Sequence, residues 1–486
     1  MGHIDHGKST LLDYIRKSNI VDKESGGITQ HMSAYEVLHK DANGVEHPIT
    51  FLDTPGHAAF QGMRARGANV ANIAVLVVSA EDGVKTQTIE AYKEIVASNI
   101  PFIVAINKID KPNANIEKTK QSLAEQNIYV EGYGGDIPFV SISAKVGTGV
   151  PELLDMMLLV AEMASLTGDR SKPATGVIIE SNMDPQKGIS ATMIITDGTL
   201  EKGQYVVADD AYAPVRIMEN FLGKAIAKAS FSEPVRITGW SKVPQVGAQI
   251  STVMDKKSAE SLTNLNQLIS PPTGSTLVYT APRADHAIIP IVLRSDVIGT
   301  LEAIELEISK LSHDRVTFKI VQKGVGAISE TDIKAVAGTK NPIIIGFHVK
   351  ADARATDLAD RNGIPLNFFT VIYKMTEWLE SEMARLSPKI TSAEERGQAR
   401  VVRIFSHQKD RQVLGGRVLS GVLKVGMPVK IVRREALVGE GKIIELQQQK
   451  LASKEVQEGA EFGAMIESKI TIAEKDILVP FEMTTK

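Results

Sequence analysis

Met1-Gly2-His3-Ile4-Asp5-His6-Gly7-Lys8-Ser9-Thr10 opens the chain, and the spacing G-x-x-x-x-G-K-[ST] from Gly2 to Ser9 is that of a phosphate-binding loop. The residue types follow from the chemistry. Glycines let backbone N–H groups close around phosphate oxygens, Lys8 brings a point charge to the β- and γ-phosphates, and the Ser9 hydroxyl is placed to ligate Mg²⁺. Such a loop normally follows a buried β-strand, which here would have to precede Met1. The chain as written is therefore expected to be a fragment whose central sheet lacks one buried strand and whose nucleotide binding is weak.

Three further motifs sit on the ends of apolar, β-prone runs. Ile49-Thr50-Phe51-Leu52 leads into Asp53-Thr54-Pro55-Gly56-His57, which puts a carboxylate at a strand end, where a P-loop protein holds its second Mg²⁺ contact through water. Phe102-Ile103-Val104-Ala105-Ile106 leads into Asn107-Lys108-Ile109-Asp110, and Phe139-Val140-Ser141-Ile142 into Ser143-Ala144-Lys145. The hydrogen-bond inventory points to guanine. A carboxylate at Asp110 can accept from both N1–H and the exocyclic amine, a pair of donors adenine does not offer. Asn107 would tie neighbouring loops together, the Lys108 stem would lie over the base, and the Ala144 N–H would donate to the guanine O6.

These residues resemble the translational GTPases, and among them bacterial translation initiation factor two. The resemblance rests on G-H-I-D-H-G-K-S at Gly2 to Ser9, G-G-I-T-Q-H at Gly26 to His31 and D-T-P-G-H-A-A-F at Asp53 to Phe60. M-R-A-R-G-A at Met63 to Ala68 and N-K-I-D at Asn107 to Asp110 complete it. It is dense over the first 150 residues or so and thinner afterwards. It implies a GTPase whose cofactors are GTP and Mg²⁺, with Thr29 as the switch I threonine on Mg²⁺ and the γ-phosphate. It also implies Gly56 as the switch II glycine that senses that phosphate, and His57 as the residue orienting the attacking water once the ribosome has docked. Asp5 is an unusual charge inside a phosphate loop, and a monovalent cation beside it is the suggestion that follows.

Composition bounds the rest. The chain of 486 residues exceeds one core, so three or four domains are expected. At 43% hydrophobic and 23% charged it reads as ordinary soluble protein, and zero Cys excludes disulfides and thiolate metal sites, which fits a reducing cytoplasm. No apolar stretch reaches the ~20 residues of a membrane span. The formal net charge is −3, but residues 389 to 486 carry 17 Lys and Arg against 13 Asp and Glu, a surplus of four. The C-terminal part is thus the candidate face for RNA phosphates.

The pattern predicts a multidomain α/β and β chain. A P-loop GTPase domain covers 1–166, a β-barrel 170–256, a polar linker with Pro271-Pro272-Thr273-Gly274 257–284, and an α/β/α sandwich 285–372. A connecting helix follows over 373–388, with Met375, Trp378, Leu379, Met383 and Leu386 at helical spacing, and then a C-terminal β-barrel over 389–486. Gly198-Thr199-Leu200-Glu201-Lys202-Gly203 is echoed by Gly421-Val422-Leu423-Lys424-Val425-Gly426, a faint G-x-L-x-x-G repeat between the barrels. Gly324-Val325-Gly326 lacks the third glycine and acidic partner of a dinucleotide fingerprint.

In the resembled family the last barrel holds the formylmethionyl end of initiator tRNA, and the partners are that tRNA, the ribosomal subunits and rRNA, with the factor a monomer off the ribosome. Here Phe462 stands where the family usually has cysteine, beside Gly463. An aromatic ring at Phe462 could line a methionine pocket, while formyl specificity is left open. Two other functions stay open as well: an elongation or selenocysteine-delivery factor, and a ribosome-binding assembly that no longer hydrolyses GTP.

Overall fold

The computed structural model describes residues 1–17, 29–41, 43–184, 187–269, 286–313, 315–387, 391–408, 410–449 and 451–485. Gly26-Gly27-Ile28, Pro271 to Gly274 and Pro388 lie outside them. The described chain divides into two compact units, Met1–Leu386 and Ser387–Lys486.

The phosphate loop runs straight into helix α1 (Lys8–Arg16), with Gly7 as its N-cap at φ 84°. That left-handed conformation suits glycine, and a Cβ at Gly7 would lie 2.5 Å from Asn107 Nδ2. Strands β1 (Ser33–Lys40) and β2 (Glu46–Asp53) form an antiparallel ribbon in which Ser33 pairs with Asp53. Helix α2 (Gln61–Val70) and strand β3 (Ala74–Ser79) follow, then helix α3 (Thr86–Ala97) and strand β4 (Phe102–Asn107). Helix α4 (Ile116–Ala124), strand β5 (Phe139–Ser141) and helix α5 (Val150–Met163) complete the domain. Strands β3, β4 and β5 pair in parallel, and β3 and β4 are nearly continuous buried Val, Ile, Leu and Ala, as a sheet covered on both faces requires.

The ribbon and the parallel sheet do not pair with one another. Between Ile49, Phe51 and Asp53 of β2 and Val75 and Val77 of β3 lies a cavity of about 660 Å³, also lined by Leu11, Leu12, Leu153 and Met157. Met1 borders it. Its amino group donates to Val75 O at 2.8 Å and its carbonyl accepts from Val77 N–H at 2.9 Å, so Met1–Gly2 form one parallel rung on β3.

The barrel occupies Thr175 to Val253. Residues 256–269 differ from the expected open linker: Lys256–Ile269 is a helix packed on the barrel, with Ala259 and Thr263 buried, Tyr212 donating to Glu260 and Asn266 to the Asp209 carbonyl. Polar composition hid a narrow apolar stripe. The sandwich has a parallel four-stranded sheet in the order Val316–Val325, Ala287–Ser295, Ile343–Phe347 and Leu366–Phe369. Its helix Ala353–Asn362 escapes the hydrophobic pattern because its fully buried residues are two alanines, Ala355 and Ala359, with Leu358 half-buried beside them.

One apolar core runs through Met32, Phe60 and Met63 of the nucleotide domain, Ile179 and Ile194 of the barrel, and Ile291, Ile304 and Ile345 of the sandwich. The last helix, Ile372–Leu386, contributes Ile372, Met375, Leu379 and Met383 to that core, with Trp378 against Phe369 at 5.4 Å. The expected connecting helix thus spends its apolar stripe on the sandwich.

In the second unit the G-x-L-x-x-G echo is a true structural repeat. Gly198, Gly203, Gly421 and Gly426 all have positive φ, Leu200 and Leu423 are buried, and each segment pairs antiparallel with a short strand. Phe462 corrects an expectation. On the strand Glu461–Ser468, burial alternates, and Phe462 points inward with Ala464 and Ile466. Its ring packs over Gly416, where a Cβ would lie 2.8 Å from it, so it fills the barrel core and does not line a pocket. Gly463 is on the opposite face, paired with Gly415 and Gln447.

Candidate nucleotide site

The C-terminal edge of the parallel sheet, the phosphate loop and the end of β2 converge on one crevice. Asn107 is the strut. Its Nδ2 donates to His6 O at 2.8 Å and its Oδ1 accepts from Ala144 N–H at 2.9 Å, joining the phosphate loop to the Ser143-Ala144-Lys145 turn. The Ala144 N–H is thereby engaged within the protein, contrary to the expected donation to a base, which leaves Lys145 N–H as the neighbouring donor for that role. Asp110 is exposed and accepts from Ser143 Oγ at 2.7 Å, a bond that holds its carboxyl below the usual range. Lys108 takes a left-handed φ of 68°, with its ammonium 3.6 Å from Asp82.

At the phosphate end, Lys8 Nζ donates to Gly2 O at 2.9 Å and His3 O at 2.7 Å. Burial, ahead of the opposing pull of Asp53, lowers its pKa to about 8. Burial also pushes the Asp53 carboxyl up, with Lys8 the chief opposing charge. Ser9 Oγ and Thr29 Oγ1 are 2.8 Å apart. Two hydroxyls in contact and a buried carboxylate form a hard oxygen set, which fits Mg²⁺. His6 is fully buried, its Nδ1 3.3 Å from Val77 O, and burial lowers it to about 4, so it is a neutral prop of the loop. Ile4 N–H is held by Gln87 Oε1 at 3.1 Å, while Asp5 is exposed and Thr10 continues α1.

Gly56 approaches the loop closely: a Cβ there would lie 2.8 Å from Lys8 Nζ. His57 is turned elsewhere. Its Nδ1 accepts from Ala59 N–H at 3.1 Å, capping the short turn Ala58–Phe60, and the charges that bear on it are Glu307, Lys310, Arg64 and Glu90.

Sequence reading singled out no role for Arg64, although it lies in M-R-A-R-G-A. The residue is 1% exposed, and its guanidinium donates to the carbonyls of Pro55, Gly56 and His57, the last at 2.6 Å, and to Glu90 at 3.2 Å. One cation therefore fixes the whole turn beside Lys8. Arg64→Met is expected to cost roughly 3 kcal/mol, since charged hydrogen bonds contribute about 1.5–3 kcal/mol each and only part is recovered by packing. Urea unfolding checks this, and a loss under 1 kcal/mol would show that the turn holds without it.

Comparisons with known proteins match three segments of the chain. Residues 1–163 match the family model of the elongation factor Tu GTP binding domain, residues 173–253 that of elongation factor G domain 2, and residues 277–380 that of translation-initiation factor 2. Among solved structures, GDP-bound aIF5B from Aeropyrum pernix is 25% identical over 99% of this chain and 90% of that one, with a TM-score of 0.45. A bacterial selenocysteine-specific elongation factor EF-Sec is 22% identical over 51% of this chain and 43% of that one, with a TM-score of 0.42.

Proposed function

We propose that this chain, a GTPase of the translational type carrying an initiation-factor-two domain, promotes initiator tRNA binding and subunit joining on the ribosome and hydrolyses GTP when the ribosome triggers it. The observation that carries the reading is the order of matched parts: an initiation-factor-two segment at 277–380 follows the GTP-binding and domain 2 segments, where an elongation or selenocysteine-delivery factor would not have it. Ser9 and Thr29 would hold Mg²⁺ directly and Asp53 through water. Among the described residues no helix is long and apolar enough to cross a membrane. The factor's proposed work on ribosomes would take place in the cytoplasm.

The chain's own residues have separable tasks. The loop from Gly2 to Thr10, through its N–H groups not bonded within the protein and the Lys8 charge, binds the phosphates, Asp110 and the 143–145 turn select the base, and Gly56 N–H reports the γ-phosphate. His57 is parked. Swinging it toward the phosphate breaks its cap on Ala59, at about 0.5–2 kcal/mol, a barrier small enough for ribosome docking to offset. On the C-terminal barrel, the Phe462 ring is internal, so the surface that remains for the tRNA end is the outer face where the exposed Phe405 ring lies over Gly415, next to Gly463.

Single-turnover GTP hydrolysis with and without ribosomes tests the proposal. The expected result is a slow intrinsic rate, a rise of at least about 10³-fold on ribosomes, and loss of that rise in His57→Ala with GTP binding kept. Equal rates with and without ribosomes would refute the triggered reading. Equal binding of formylated and unformylated initiator tRNA would refute formyl specificity.

A further inference from the structure

A second constellation lies away from the phosphates, where three parts of the first unit meet. His31 comes from the segment after Thr29 and Gln30, Asp296 from the turn between the strand Ala287–Ser295 and the helix Ile298–Lys310, and His348 from the end of the strand Ile343–Phe347. Their ligating atoms all lie within 4.8 Å of one another. Asp296 Oδ2 is 3.3 Å from His31 Nε2 and 3.3 Å from His348 Nδ1. We propose that His31, Asp296 and His348 bind a divalent transition-metal ion of the zinc class, and that this ion staples the segment following Thr29 to the α/β/α sandwich.

Four observations carry it. A tetrahedral ion with bonds of ~2.0–2.1 Å spaces its ligand atoms at about 3.3–3.4 Å, the separation found on both edges at Asp296. His348 Nε2 lies 2.8 Å from Thr370 O, a carbonyl that can only accept, which fixes the tautomer in which Nδ1 offers a lone pair to the centre, the usual outer-shell arrangement of metal-bound imidazole. His31 Nδ1 faces the Glu180 carboxyl of the barrel at 3.8 Å, while its Nε2 faces Asp296. Asp296 Oδ1 is spent on Val297 N–H at 2.9 Å and Ser295 Oγ at 3.1 Å, which leaves Oδ2 for the ion.

Backbone strain marks the same place. His348 adopts φ 55°, an uncommon conformation for a non-glycine residue, and it is this turn that brings the ring to within 5.3 Å of the His31 ring. All three side chains are half-buried, so an ion can reach them, and two imidazoles with one carboxylate favour zinc, cobalt or nickel over Mg²⁺. Gln30, next in sequence to His31, already docks there, donating to Thr370 O at 2.9 Å and accepting from Ile372 N–H at 3.3 Å. Metal uptake would add a bond at the polar edge of a junction whose apolar part is the shared core around Met32, Phe60 and Met63. The site stands on its own geometry whether or not the nucleotide reading holds.

Cobalt(II) titration of the full chain tests it, after treatment with chelator and in excess Mg²⁺ to fill oxygen sites. With no cysteine in the sequence, a visible d–d band reports nitrogen and oxygen ligation alone. One saturable equivalent is expected, displaced by Zn²⁺. Asp296→Asn and His348→Ala should weaken it by at least about 100-fold, and Glu180→Gln, one step removed, by roughly 10-fold. Zinc should raise the melting temperature of the parent chain but not of the two ligand variants, whose folding in chelator is checked by circular dichroism. No cobalt band in the parent chain, or the same affinity in Asp296→Asn and His348→Ala, would overturn the proposal. The parent titration keeps it falsifiable should a variant fail to fold.

Discussion

Asp110→Asn is expected to exchange guanine for xanthine specificity. The Asp110 carboxylate is exposed at the crevice, and its bond from Ser143 holds its pKa down, so it is an acceptor throughout the neutral range. Guanine presents two donors to it, N1–H and the 2-amino group. An asparagine amide keeps one acceptor but turns a donor toward position 2, where it meets the guanine amine head on. Xanthine has a carbonyl at that position and fits. Two charge-assisted hydrogen bonds of about 1.5–3 kcal/mol each are at stake, which places the loss of GTP affinity at roughly 10²–10⁴-fold, with XTP affinity rising by a comparable factor. Fluorescent-analogue titrations of both nucleotides measure it. If GTP binding survives the substitution, Asp110 does not read the base. The fold should be untouched, because Asn107, not Asp110, is the strut between the loops.

The Asn107 strut and the place of Asp110 at the crevice were readable because both are local: a strand end fixes where each side chain points, and three residues of spacing carry the geometry. The G-x-L-x-x-G echo was readable for a related reason, since positive-φ turns restrict residue type directly. Arg64 shows the limit. Its partners are carbonyl oxygens of a turn, which have no sequence signature, and an arginine in a helix reads as solvated until its burial is known. Phe462 fails in the opposite sense. The alternation of its strand is visible, but which face is inside depends on a barrel closed by strands from Gly397 to Thr485. His31, Asp296 and His348 come from separate parts of the chain, and only the shared core of the nucleotide domain, barrel and sandwich brings them together.

An apolar extended strand fused ahead of Met1 is expected to stabilise the protein and tighten nucleotide binding. The cavity of about 660 Å³ lies between β2 and β3, Met1 already makes one parallel rung on Val75 and Val77, and the walls are Leu, Ile, Phe and Met. Five residues such as alternating Val and Ile would continue that rung. Each large side chain buried gains about 1.5–3 kcal/mol and each backbone residue ordered costs about 1–2 kcal/mol, so a net gain of about 2–5 kcal/mol is expected in urea unfolding. Anchoring Gly2 from behind also pre-organises the loop, and a roughly tenfold gain in GTP affinity would correspond to about 1.4 kcal/mol. A Gly-Ser extension of equal length is the control. The pH dependence supplies an independent sign. In the chain beginning at Met1, burial lowers the terminal ammonium from 8.0 to about 5, so between those values the unfolded chain binds a proton that the folded one refuses. Stability from this group is full above pH 8, falls as pH drops toward 5, with a slope of at most about 1.4 kcal/mol per unit, and is flat below. Either extension puts a peptide N–H where the terminal amine was and should remove that slope, so stability and GTP affinity separate the two. If both extensions behave alike in stability and in GTP affinity, the cavity does not accept a strand.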